Sequence, residues 1–147
     1  MERKKRKADL KDYIASLDTA AEVRGRAKAA YEEAEASYTE AFRPAMLKVE
    51  DRVIRAFHEA CPSDAGYPRS HILICVALLF YAPEALYGGK IPLRLAKSIA
   101  RVLDVKPPSV YTARKKVASW LRLYPDFFGM IYKLYDHFTE SPPKRGR

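Results

Sequence analysis

Apolar residues recur every three to four positions along almost the whole chain, and no alternating stretch of useful length interrupts them. The pattern predicts an all-α protein. Leu10, Ile14 and Leu17 form a short stripe that stops near Asp18. Thr19 and Glu22 have the spacing of a capping box. A second helix is expected from there to about Phe42, with Val23, Ala27, Ala30, Tyr31, Ala34, Tyr38 and Ala41 on one side. Gly25 costs about 1 kcal/mol within it. Pro44 ends that helix or opens the next, whose stripe is Met46, Val49, Val53, Ile54, Phe57 and Ala60. The spacing over 19–60 fits a helical hairpin or a coiled-coil dimer, and its alanine-rich face is too thin for a lone helix. Residues 62–69 are loop chemistry and set the expected domain boundary.

Beyond that loop, Ser70 is expected to cap a helix over 71–81 that is apolar all round and hence buried all round. Pro83 bends or restarts the chain, and Gly88-Gly89 stops it. Helices over Leu93–Leu103 and Pro108–Tyr124 come next. Pro125 then opens a last helix carrying Phe127, Phe128, Ile131, Leu134, Tyr135 and Phe138. The expected organisation is a disordered basic arm (1–7), a helical hairpin or coiled coil (8–61), a compact helical domain (69–140) and a disordered basic tail (141–147).

Charge changes this picture more than composition does. The chain of 147 residues carries +9 overall, distributed unevenly. Residues 8–89 hold nine Lys/Arg against thirteen Asp/Glu. Residues 90–124 hold nine Lys/Arg against Asp104 alone, a net of +8. Such a segment inside an acidic chain is the footprint of a polyanion-binding surface. The longest apolar run, Ile72 to Ala82, is eleven residues. It is too short to cross a bilayer, and no apolar signal-peptide core comes after the basic start. With two cysteines in all, the expectation is a cytoplasmic protein with reduced thiols and no membrane partner.

The stretch Ala96-Lys-Ser-Ile-Ala-Arg-Val-Leu-Asp-Val-Lys-Pro-Pro-Ser-Val-Tyr-Thr-Ala-Arg-Lys-Lys-Val117 resembles a helix-turn-helix DNA-binding motif. Ile99 and Ala100 stand where that family packs its first helix. Leu103 and Val105 flank the turn, and Val110 and Ala113 take the inner face of the second helix. Asp104 replaces the usual turn glycine and tolerates positive φ better than most residues. Lys106 stands where the family often has a Ser or Thr cap. More loosely, the second half is similar to the carboxy-terminal domain of the replication initiator DnaA, with a turn one residue shorter. It is also similar to small regulators of mobile elements and phages.

A helical wheel places Tyr111, Thr112, Lys115 and Ser119 opposite Val110, Ala113, Val117, Trp120 and Leu121. Those four are the candidate base-reading residues. Arg94, Lys97 and Arg101 repeat along one face of the preceding helix. With Lys106, Ser109, Arg114, Lys116 and Arg122 they are the candidates for the DNA backbone. The expected function is duplex DNA binding, as a transcription regulator or mobile-element accessory protein, with self-association through residues 8–60. The alternative is a helical interaction or scaffold protein, such as a phage assembly or packaging component, whose basic face meets an acidic partner.

Other chemistry is weaker. His58-x-x-Cys61 and His71-x-x-x-Cys75 offer four ligand types but no CxxC knuckle, so core packing is the better reading and no metal or other cofactor is expected. Glu32, Glu33, Glu35 and Glu40 read as a solvated face. Three histidines at 58, 71 and 137 make no nucleophile–base arrangement, and no enzyme activity is expected. The aromatic residues of the last helix follow helical spacing, which suits packing better than base stacking.

Overall fold

The computed structural model describes residues 2–26, 35 and 38–143, and every regular element among them is helical. The chain divides into two compact units, Met1–Arg43 and Pro44–Arg147.

In the first unit, α1 runs unbroken over Glu2–Arg26. The expected break near Asp18 is absent, and the basic arm is the first turns of this helix instead of disordered chain. Lys and Arg are good helix formers, and 2–18 contains no glycine or proline to break the helix. Thr19 does not start a capping box. Its hydroxyl donates to the Ala15 carbonyl four residues back, at 3.0 Å, as a mid-helix threonine does. Leu10, Leu17 and Ala20 are buried. Most of the second expected helix, 27–34 with 36 and 37, lies outside the described residues. Its end, 38–41, is helical, with the buried Tyr38 and Phe42 rings 4.3 Å apart. Glu35 is described and half-buried, while Glu32 and Glu33 lie outside the described residues.

The second unit begins at Pro44, so the expected boundary at 62–69 falls inside it. The helix expected from Pro44 onward starts only at α2, Asp51–Ala60. Ahead of it the chain is irregular, and the Met46 N–H donates to the Phe80 carbonyl at 2.8 Å. That carbonyl lies in the last turn of α3 (Arg69–Tyr81), where no intrahelical donor remains. The α2 stripe Val53, Ile54 and Phe57 is buried against α3 and α4 (Leu93–Leu103), with Phe57 stacked on Phe80.

The core is organised around α3. Ile72 to Tyr81 are all buried, and α3 packs against α2, α4, α5 (Pro107–Leu123) and α6 (Pro125–Glu140). A helix covered on every side has no reason for a polar face, which is why its sequence shows none. Its first residue is Arg69, with Pro68 at the cap position. Ser70 sits inside the first turn with its hydroxyl 3.1 Å from His71 Nδ1, so the expected serine cap is not formed. Arg69 donates to the Cys61 and His58 carbonyls at 3.1 and 2.7 Å, closing the end of α2. A short 3-10 turn, Pro83–Tyr87, ends on Gly88 at φ 86°. Beside it, a Cβ on Gly89 would meet the Glu84 side chain and carbonyl within 3.0 Å, so only glycine fits.

Candidate nucleic-acid interface

α4 and α5 pack on each other across a three-residue turn. Asp104 ends α4 in the left-handed conformation, φ 55° and ψ 50°. Its N–H reaches the Arg101 carbonyl at 3.3 Å, and the Val105 N–H reaches Ala100 at 3.0 Å, the paired bonds of a Schellman end. Asp104 therefore serves where glycine would be usual. Lys106 holds the cap position of α5 without a side-chain bond. The two prolines after it explain the missing Ser or Thr. Pro107 and Pro108 have no N–H, so two of the four orphan donors of a helix start do not exist. The Ser109 N–H is satisfied by the Lys106 carbonyl at 3.0 Å.

Burial separates the two sides of this pair. Leu95, Ala96, Ile99 and Ala100 on α4, and Val110, Ala113, Val117, Ala118 and Leu121 on α5, face the core. Leu103 is half-buried, Trp120 likewise, and Val105 is exposed. On α5, Tyr111, Thr112, Lys115 and Ser119 are all exposed and share one side of the helix. The Thr112 hydroxyl donates to the Pro108 carbonyl at 2.9 Å, so its hydrogen is engaged within the helix.

The cations fall into two groups. Arg94 and Lys97 are exposed and line a shallow depression on α4 with Leu93 and Arg101. Lys106, Ser109, Lys115 and Lys116 are exposed on the turn and α5, with Lys116 Nζ 5.9 Å from the Trp120 ring centre. Arg101, Arg114 and Arg122, also expected at phosphates, are held by the protein. Arg101 makes a two-pronged contact with Asp51 at the start of α2, Nε to Oδ2 at 2.8 Å and Nη2 to Oδ1 at 2.9 Å. The buried Ser98 hydroxyl adds a third bond to Asp51 at 2.6 Å. These hydrogen bonds, Arg101's first, hold the Asp51 carboxyl down at about 2. Arg114 is half-buried and donates to the Gly89 carbonyl. Arg122 donates to Leu86 at 3.2 Å and lies 4.1 Å over the Tyr87 ring. Both tie α5 to the turn before α4, where carbonyls leaving a short helix need donors.

Ser98 and Asp51 had no sequence signal as partners beyond a lone serine among apolar positions of α4. The cysteines serve the core. Cys61 Sγ donates to the Phe57 carbonyl at 3.2 Å, and burial pushes its thiol up to about 12. Cys75 is fully enclosed in α3, and burial raises its thiol further. Among the described residues, no group of three or more His, Cys, Asp and Glu is placed to share a metal. His71 stacks on Trp120 at 5.2 Å, within a cluster that includes Tyr67 and the buried Phe127. Burial, then Lys116, lowers the His71 pKa. Among the described residues no helix is long and apolar enough to cross a membrane. No protein-family model, curated protein or solved structure matches this chain.

Proposed function

We propose that the second unit binds duplex DNA, with α4, the Asp104 turn and α5 acting as a helix-turn-helix. The observation that carries this reading is the composition of one exposed surface. Tyr111, Thr112, Lys115 and Ser119 stand clear of a buried anchor of Val110, Ala113, Val117 and Leu121. Arg94 and Lys97 lie on the adjoining helix, and Asp104 is the only acid in residues 90–124. A helix entering the major groove needs such a division between anchor and reading face, and its neighbour needs cations for phosphates. Arg101, Arg114 and Arg122 become framework residues that fix the two helices, leaving Arg94, Lys97, Lys106, Ser109 and Lys116 for the backbone.

The role this supports is a transcription regulator or a mobile-element accessory protein. One reading helix gives modest affinity, and pairing of two copies supplies a second half-site. Because α2 is built into the second unit, the surface for self-association narrows from residues 8–60 to the first unit. The test is gel retardation of a random-sequence duplex at two salt concentrations. Retardation at low salt that weakens steeply at high salt is expected. Absence of retardation at low salt overturns the proposal and leaves the basic face to an acidic protein partner.

A further inference from the structure

Cations do not account for the turn end of α5. Val105, directly after the left-handed Asp104, is 43% exposed, and Tyr111 is 39% exposed. After a Schellman end, an apolar residue at the Val105 position commonly folds back onto the preceding helix. Here it opens to water beside Lys106, within the segment 90–124 whose only acid is Asp104. A single exposed apolar side chain is ordinary. Two of them bracket the start of a helix, the end whose residues meet base edges in a major groove. Thr112 does not change that character, because its hydroxyl hydrogen is directed to the Pro108 carbonyl. Apart from the Ser109 hydroxyl and the phenol at the tip of the Tyr111 ring, the exposed donors of this helix begin further along, at Lys115 and Ser119.

An apolar surface at this end matches one group on base-pair edges, the C5 methyl of thymine. We propose that Val105 and Tyr111 make this protein select thymine at the position facing the start of α5, through contact with that methyl group. The inference rests on the duplex-binding reading and names what the surface recognises.

The experiment uses the full chain and a duplex selected from a random pool. Each thymine is replaced in turn by deoxyuridine, which removes the methyl and keeps base pairing. At one or two thymines the wild-type affinity should fall about three- to fivefold, the effect of losing burial of one methyl-sized group. Val105→Ser and Tyr111→Ser alter exposed side chains, and circular dichroism checks their helix content. At least one of them should bind thymine and deoxyuridine duplexes equally well at that position. Selective binding with no thymine responding to the replacement overturns the inference while leaving duplex binding intact. A response of unchanged size in both variants overturns it as well, because another residue then reads the methyl. If the wild type binds no duplex, the functional reading fails and takes this inference with it.

Discussion

Replacing Asp51 by asparagine removes a charge without changing shape, and it tests the tie between α2 and α4. The carboxyl sits at about 2 against an ordinary 3.8. Taken at face value the difference corresponds to about 2.4 kcal/mol. The Asp51 side chain is 37% exposed and Arg101 more so, so solvent screening reduces this to about 1 kcal/mol. The sign comes from linkage: a lowered carboxyl stabilises the fold above its unfolded pKa, near 4. That contribution fades as pH falls from about 4 towards about 2. Urea unfolding at pH 7 should therefore find Asp51→Asn less stable than wild type by about 1 kcal/mol. At pH 3 the gap should shrink to roughly half. Equal stabilities at pH 7, or a gap that does not change between the two pH values, would refute the reasoning. The same substitution releases Arg101 from its partner, so low-salt duplex affinity should rise even as stability drops. Loss of both together would mean that Arg101 works only where Asp51 holds it.

On a selected site, Lys115→Ala should cost about 1–3 kcal/mol and relax preference at one position, whereas Lys116→Ala should weaken all sequences alike. Quantitative binding to the selected duplex and to its single-base variants separates the two patterns. Light scattering on the full chain and on residues 44–147 should show the larger species only for the full chain. Equal monomeric masses would place self-association elsewhere or remove it.

The α4–α5 pair was legible because its signals are local. Leu95, Ile99 and Ala100, then Val110, Ala113 and Val117, have one consistent inner face, and prolines mark the start of α5. The bounds of α4 match expectation, and α5 is shifted by one residue. Asp104 was readable because aspartate tolerates the left-handed turn. The fates of Arg101, Arg114 and Arg122 were not readable, since their partners are 50, 25 and 36 residues away. Cation spacing on a helix says which side a guanidinium leaves from, not whether an orphan carbonyl or a carboxylate waits there. The domain boundary failed for a related reason. The stripe of Val53, Ile54 and Phe57 would look the same against a preceding helix or against α3, and periodicity carries no partner's name. Family spacing puts Val105 just after the turn without saying whether it is buried, and the structure leaves it exposed.

Duplex binding by the second unit stands or falls on whether the α4 cations meet phosphates, and the salt dependence of binding measures that directly. Fluorescence anisotropy of a labelled duplex gives the slope of log affinity against log salt, about −0.9 for each phosphate neutralised. For Arg94→Ala with Lys97→Ala the slope should flatten by about 1.8, equally for selected and random sequences. Wild-type binding that is absent at low salt, or a slope that the double substitution leaves unchanged, would contradict the central claim.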